Sequence, residues 1–572
     1  MNSTKALLAN RASVLILTVA SLFRTGQPAR AQDVQHLTVT QPGGMPGMPL
    51  MTGIERDTNG VSVTWYGPSG YYQLFQALGL KDPQWQPVGG INLTNKAILT
   101  TIQSNAIFRV LGPSPQFAGS QTCMECHSEV HKTVMNTPHA GAFTNGLFVA
   151  QGGQTNGSCL PCHTVGSGLP TGFVSESKTP QLTGVQCENC HGPAANHAAN
   201  TDDLTARPRA ELAATVCGGC HSAQFVPAQA AASHPPYYEE WNTSAHRAVL
   251  DELKGDFAGS DGSSFYIPTC GRCHSGTVRK ALLENNPLPG AHEASAVGIA
   301  CATCHDPHSK YMHTNVLNGV LTNVLTGVII TNSQLGVVYT NQLRNPLSSL
   351  QDYHTSGNFT TNYSAEINVC GQCHNDRGAS SSSTDRPPHR SPQYNMLLGT
   401  FRELDTGVPS DQPATHALLE KQCVSCHMHT ADYVSAAQPA VAGHKFKVES
   451  FDTCRACHPL PELLVQFTAT AVSNQIQQVK AALNFWAATK APASLWTQYG
   501  TRAWEYTKPG DLSPGDPGPT SVEQAVIPIN IQKARFNLYL VLYDGSYGTH
   551  NGPYAIALLD TAYNWVLEEL NK

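Results

Sequence analysis

The sequence predicts a mainly α chain with low regular secondary structure. A middle segment is built round a repeated cysteine–histidine motif, with a small N-terminal β module before it and a C-terminal helical bundle after it. Three observations predict this. All eighteen cysteines lie between residues 123 and 457, in nine copies of C-x-x-C-H. Residues 36–113 carry no cysteine and hold short runs in which apolar and polar residues alternate. Beyond residue 460 the cysteines stop and apolar residues recur at helical spacing. The expected organisation is a leader at 1–31, the β-rich module at 32–116, the motif-bearing domain at 117–459 and the helical domain at 460–572.

The leader reads as a secretory signal. Lys5 and Arg11 are positive, residues 12–23 are apolar, and Ala29-Arg30-Ala31 is a small-x-small cleavage site, so cleavage is expected near Gln32. The apolar run is well short of the roughly 20 residues that cross a bilayer. The mature chain is therefore expected to have no membrane span and to work in the periplasm or outside the cell. Charged residues make up 13% of the chain and the net charge is −6, spread thinly, with no basic run of the kind that binds nucleic acid.

In the module at 32–116, "VSVTWY" (61–66) alternates Val61, Val63 and Trp65, and "YYQLFQAL" and "AIFRVL" read as further strands separated by Gly, Pro and Asn. A small antiparallel module covering the neighbouring domain is expected, with His36 in a structural role.

The middle domain carries the chemistry. Its motifs are Cys123/Cys126/His127, Cys159/Cys162/His163, Cys187/Cys190/His191, Cys217/Cys220/His221, Cys270/Cys273/His274, Cys301/Cys304/His305, Cys370/Cys373/His374, Cys423/Cys426/His427 and Cys454/Cys457/His458. Two thiols a fixed short distance apart can add across the two vinyl groups of one porphyrin, and the next residue, histidine, then reaches the iron from one face. A disulfide framework would not place histidine after every pair. Structural zinc would pair motifs two by two, and nine is odd. The reading is nine covalently bound c-type haems. With about 37 residues to each motif, the chain cannot core itself with aliphatic side chains; a haem-packed core is expected, with porphyrins in near contact.

Each iron has a sixth position. Of twenty-four histidines, fifteen lie outside the motifs, enough for a second imidazole on every iron. Context selects His139, His197, His246, His308, His389, His416 and His444, with His292 and His354 as weaker choices, and His131, His234, His313, His429 and His550 in reserve. His308 follows His305 too closely to bind the same iron from the other side, so it is expected to serve a neighbour.

The strings "CMECHSEVHKTVMNTPHAGAF" (123–143), "GVQCENCHGPAANH" (184–197), "CGGCHSAQFVP" (217–227), "GIACATCHDPHS" (298–309), "PHRSPQYNMLLG" (388–399) and "QCVSCHMH" (422–429) resemble the multihaem cytochrome superfamily that includes cytochrome c554, hydroxylamine oxidoreductase and the pentahaem and octahaem nitrite reductases. The resemblance covers roughly residues 117 to 572. It implies bis-histidine haems stacked in parallel and perpendicular pairs, and C-terminal helices that cover haems and often form subunit contacts. One departure bears on catalysis: all nine motifs end in histidine, so the lysine-ended motif of the pentahaem nitrite reductases is absent. No spacing singles out a tyrosine like the one that cross-links to haem in hydroxylamine oxidoreductases.

Between the sixth and seventh motifs, "NVLNGVLTNVLTGVIITN" (315–332) reads as a hairpin or meander insert. In the last domain Val465, Ala469, Val472, Ile476, Val479, Leu483 and Trp486 form one helical face behind a first-turn Pro461. A Gly/Pro-rich linker (508–520) precedes two further helices, and the stripe is expected to pack in a bundle. The favoured function is electron transfer between redox partner proteins, other cytochromes among them. The alternative is an oxidoreductase acting on a small nitrogen or sulfur compound at one open haem.

Overall fold

The computed structural model describes residues 50–57, 60–66, 72–77, 86–92, 96–99, 107–111, 116–169, 171–203, 206–208, 212–226, 228–284, 286–309, 314–317, 320–323, 342–354 and 367–572. The leader at 1–31, His36 and His313 lie outside the described residues. The chain is mostly helical with few strands. It forms two compact units: residues 1–242 with 306–310 and 431–441, and residues 243–305 with 311–430 and 442–572.

The first unit opens with six strands: β1 (Leu50–Asp57), β2 (Gly60–Tyr66), β3 (Tyr72–Ala77), β4 (Gln86–Asn92), β5 (Lys96–Leu99) and β6 (Ile107–Leu111). They make two antiparallel sheets, ordered β1-β2-β5 and β4-β3-β6. The registers pair Val63 with Ile54 and Ala97, and Leu74 with Val88 and Val110. The period of two in β2 puts Val61, Val63 and Trp65 on one buried face; Leu74, Leu99 and Phe108 are buried as well. The rest of this unit is a string of helices seven residues long or shorter, joined by turns.

In the second unit, β7 (Thr314–Leu317) pairs antiparallel with β8 (Val320–Asn323), and the sequence between them is Asn318-Gly319. That dipeptide favours the tight turns of two-residue hairpins. The remainder of the insert lies outside the described residues. Four described helices reach eight residues: α1 (Gly276–Leu283), α2 (Pro461–Thr489), α3 (Ile529–Asp544) and α4 (Gly552–Leu570). Pro461 starts α2, where its missing N–H costs nothing.

Val472, Ile476, Val479, Leu483 and Trp486 are fully buried along α2. They join one apolar core with Ile531, Leu538 and Val541 of α3 and Leu558, Leu559 and Val566 of α4. The first two turns of α2 lie outside this core: Val465 and Ala469 are only half-buried, while Leu463, Leu464 and Phe467 are exposed. The segment 508–520 is tied down, since Lys480 Nζ donates to the Leu512 carbonyl at 2.7 Å and Gly518 N–H to Thr507 at 3.1 Å. At the centre of the core the guanidinium of Arg535 lies 4.1 Å from the Tyr506 ring, and Tyr539 donates to Glu505 at 2.7 Å. Burial pushes the Glu505 carboxyl up.

Candidate haem-binding sites

Most motifs fold as one short helical turn, as in Cys187–His191 and Cys423–His427, because a C-x-x-C-H helix brings both thiols and the imidazole to one side. In two motifs the first intervening residue is a glycine covered by an aromatic ring. A Cβ on Gly218 would sit 2.5 Å from the Tyr238 ring, and one on Gly371 would sit 2.6 Å from the Tyr394 ring. In both, the tyrosine N–H donates to the motif histidine's carbonyl, Tyr238 to His221 at 3.1 Å and Tyr394 to His374 at 3.0 Å.

Motifs are also tied to one another. The carboxylate of Glu188, buried inside the third motif, accepts from the N–H groups of Gly119 and Ala194 at 2.8 Å and of Ala118 at 3.0 Å. Gln186, just ahead of Cys187, accepts from Ser120 N–H at 2.6 Å. Gln422, just ahead of Cys423, accepts from the Asn368 amide at 3.2 Å, and Asn368 caps Cys370 N–H at 2.9 Å. Gln422 keeps a left-handed backbone (φ 37°) while its amide donates to the carbonyls of Ser349 and Ala417. Each glutamine thus joins two motifs, and their thiols come within hydrogen-bonding reach: Cys123 with Cys187, and Cys370 with Cys423. Cys162 approaches Cys220, and Cys273 approaches Cys373, in the same way.

Cys126, Cys190 and Cys457 are exposed, whereas the other motif cysteines are half-buried. Each is the second cysteine of its motif. Cys126 and Cys457 belong to the first and last motifs, which have a neighbouring motif on one side of the sequence only. Both lie in turns just beyond the short helical segments Ser120–Met124 and Asp452–Cys454, so protein covers them less than it covers the first cysteine of the same motif. The polypeptide alone therefore does not enclose these thiols. Exposure leaves them accessible to a porphyrin vinyl group, and the attached porphyrin would supply the cover.

The imidazoles are arranged in facing pairs. Among the described residues, eight of the nine motif histidines look at a second histidine across a gap. Ring-centre distances are 6.0 Å for His221 and His139, 6.2 Å for His163 and His234, 5.9 Å for His191 and His308, and 6.1 Å for His374 and His246. They are 6.0 Å for His274 and His389, 6.3 Å for His305 and His444, 6.1 Å for His458 and His416, and 6.1 Å for His427 and His550. Two metal–imidazole bonds of about 2 Å each, plus the ring radius on either side, come to roughly 6 Å. The spacing is that of two imidazoles on one iron.

The outer ring nitrogens agree. Nδ1 of the motif histidines meets Ala142 O (His163, 2.9 Å), Val249 O (His274, 3.0 Å), Gln393 Oε1 (His374, 3.3 Å) and Phe446 O (His427, 3.3 Å). On the facing rings it meets Ala230 O (His234, 2.9 Å), Ser391 Oγ (His389, 3.0 Å), Thr549 O (His416, 3.2 Å), Ala442 O (His444, 3.0 Å) and Asp544 Oδ1 (His550, 2.6 Å). With Nδ1 engaged, Nε2 is the atom left to bind iron. Burial holds His139, His163, His374 and His427 below the ordinary imidazole range, and pushes His246 down to about 4 and His389 to about 3. Neutral imidazole is the form that coordinates a metal. At His550 burial pulls the same way, but Asp544 outweighs it and holds the ring above the ordinary range. Large apolar side chains beside these sites in sequence, Leu147, Leu418, Leu460 and Phe467 among them, are exposed; a porphyrin face would cover such groups. The donor set, the spacing and the uncovered apolar groups all fit haem.

Of the histidines selected from sequence outside the motifs, His139, His246, His308, His389, His416 and His444 each face a motif imidazole. His234 and His550, held in reserve, do so too. His354 departs from the ligand expected there, because both its ring nitrogens are taken by carboxylates: Nε2 by Asp352 and Nδ1 by Asp376 at 2.6 Å. Burial opposes the charged ring, yet the two aspartates outweigh it and the imidazole is raised to about 10. His292, on the short helix Ala291–Ala294, and His197, on Ala195–Ala199, are not brought opposite a motif histidine. Nδ1 of His197 is buried without a hydrogen-bond partner. No imidazole stands at the pairing distance from His127 among the described residues. The glutamine clamps were not anticipated; the doublet Gln-Cys at 186–187 and 422–423 was the available signal.

These features are those of the multihaem c-type cytochromes, which bind haem covalently. More narrowly, residues 122–192 and 216–306 match the family of cytochrome c554 and c-prime. The chain is 32% identical over 99 residues to cytochrome c-554 of Nitrosomonas europaea, covering 15% of this chain and 42% of that protein. It is 26% identical over 180 residues to the multiheme cytochrome MtrA of Shewanella baltica, covering 29% of this chain and 50% of that protein. The chain thus spans half or less of the length of these curated relatives. Among solved structures, the outer cell wall cytochrome OcwA matches with a TM-score of 0.48 at 18% identity, over 79% of this chain and 99% of that one. An undecaheme cytochrome from the S-layer of Carboxydothermus ferrireducens matches with a TM-score of 0.45 at 19% identity, over 80% of this chain and 70% of that one. No described helix is long and apolar enough to cross a membrane.

Proposed function

We propose that the chain is a nonahaem electron carrier, exported by a cleaved leader at 1–31, that passes single electrons between redox partner proteins in the periplasm or outside the cell. The observation that carries this reading is the set of eight imidazole pairs at 5.9–6.3 Å, which suits six-coordinate iron that exchanges electrons with little rearrangement. Bound haem would supply the one-electron chemistry. The protein's own residues do the rest. Each pair of motif cysteines would fix one porphyrin. The motif histidines and their facing partners would hold its iron. The Nδ1 acceptors orient the rings, and burial holds His139, His163, His246, His374, His389 and His427 below the ordinary imidazole range. The thiol contacts between motifs would favour electron passage by setting the attachment points of neighbouring haems side by side. On this reading the strands at 50–111 and the helices at 461–570 are flanking modules, and the C-terminal helices are where copies of the chain would meet.

A second reading, chemistry on a small nitrogen or sulfur compound, is favoured by one observation: His127 alone has no facing imidazole among the described residues. Carbon monoxide added to the reduced protein separates the two. The carrier reading expects nine haem masses on the intact chain and a low-spin spectrum that carbon monoxide leaves unchanged. A carbon monoxide-shifted band from one haem in nine overturns it in favour of the second reading.

A further inference from the structure

Helix α3 ends at Asp544, and its C-terminal turn touches the ligands of two neighbouring sites. The Asp544 carboxylate accepts from His550 Nδ1 at 2.6 Å, and His550 faces His427. The amide of Gln393 donates to the Tyr543 and Asp544 carbonyls at 3.1 and 3.3 Å, while its oxygen meets Nδ1 of His374 at 3.3 Å. His374 faces His246. The two motifs adjoin through Cys370 and Cys423. One structural element therefore supports both sites, the first through a full negative charge and the second through a neutral amide.

The carboxylate is built in. Asp544 is buried, and Gly545, in the left-handed conformation (φ 72°), turns the chain so that Ser546 bonds Oδ2 through both its N–H and its hydroxyl. Ser546 Oγ also accepts from His550 N–H at 3.1 Å, which fixes the loop back to the imidazole. Of the nine Nδ1 contacts described above, the other eight go to carbonyl, amide or hydroxyl oxygen. A carboxylate drawing on Nδ1–H makes the ring a stronger donor and stabilises ferric over ferrous iron. Burial enlarges the effect. Near the second site charge acts in the opposite sense: the buried Arg279 donates to Cys373 Sγ at 3.6 Å. Asp376 opposes it, but its carboxylate is met by His354.

We infer that Asp544 is a positioning residue that makes the iron between His427 and His550 more reducing than the iron between His374 and His246, so that electrons step from the first to the second. This rests on the haem-ligation reading above. The step moves one electron, supplied by a reduced redox partner: the first iron goes from ferrous to ferric, the second from ferric to ferrous, and no bond or proton is transferred.

The test is a spectroelectrochemical titration of the holoprotein, with haem content and low-spin bands measured on the same sample. Those two measurements report on ligation, and the midpoints report on Asp544. Asp544→Asn is expected to raise one midpoint, leave the others in place and alter the low-spin signal of one haem. Gln393→Glu is expected to lower a different midpoint. Full haem content with no upward shift in Asp544→Asn overturns the inference. If that variant fails to take up its haems, Ser546→Ala frees the carboxylate to act more strongly on His550, and the absence of a downward shift there overturns it equally.

Discussion

From Val472 to Trp486, the inward face of α2 is completely shielded from water by α3 and α4. From Cys123 to His458, no described helix exceeds eight residues, and Leu147, Leu418 and Leu404 stand exposed, the last at 88%. The same chain thus holds a region cored by its own aliphatic and aromatic side chains and a region whose interior surfaces face one another across gaps of about one iron atom and its bonds. Burial of apolar side chains contributes about 1.5–3 kcal/mol for each Leu, Val or Phe, so the first region is expected to keep its fold without cofactor. The second holds smaller apolar clusters, around Phe143, Val278 and Tyr394, beside its imidazoles and thiols, and much of its stability is expected to come with the cofactor.

The strongest way to break this contrast is to withhold haem. Made where no thioether bonds form, the chain should lose protease protection across residues 116–458 and leave a resistant fragment near 461–572. Limited proteolysis with mass spectrometry checks this, and identical digestion patterns with and without haem would refute the contrast. Next in size, Leu483→Ala should destabilise the helical region by about 3 kcal/mol, as core truncations do, while leaving haem spectra unchanged; denaturant melts followed by far-UV and by Soret signals separate the two.

His354 sharpens the comparison from the other side, as a charged group holding part of the motif region without iron. Its pKa is raised in the fold to about 10, so its stabilising effect is complete below the ordinary imidazole value near 6.5 and fades as pH climbs through about 10. His354→Gln should cost about 1.5–3 kcal/mol at pH 6 and little near pH 10.5, read from thermal melts at both values. Smallest of all, Lys445→Ala removes a pair with Glu449 that is exposed on both sides. It should shift stability by less than about 0.5 kcal/mol, and a larger change would mean that the motif surface is less solvated than described.

The motif cysteines and histidines were legible because spacing alone specifies them. How deeply each thiol sits was not: Cys126 and Cys457 carry the same motif as Cys373, and only the neighbours that the fold supplies tell them apart. The face of α2 was legible from Val472 onward because its partners are other apolar helices; Val465 and Ala469 continue the same spacing but are only half-buried. The facing histidines were only partly legible. His234 and His550 were ranked low because nothing local marks them: the first meets His163 from a run of 3-10 turns, the second meets His427 from a loop beyond α3. His354 looked eligible because a free histidine in a motif-rich segment carries no sign, one residue at a time, that Asp352 and Asp376 will claim both its nitrogens. Pairing is a property of the fold, and single-residue context does not encode it.

The glutamine locks at Gln186 and Gln422 bear on biogenesis. Once Gln422 holds Asn368, and Cys370 meets Cys423, both thiols are only partly open to an attachment enzyme. The locks therefore favour making the covalent bonds while the polypeptide is still open, motif by motif, before they close on finished units.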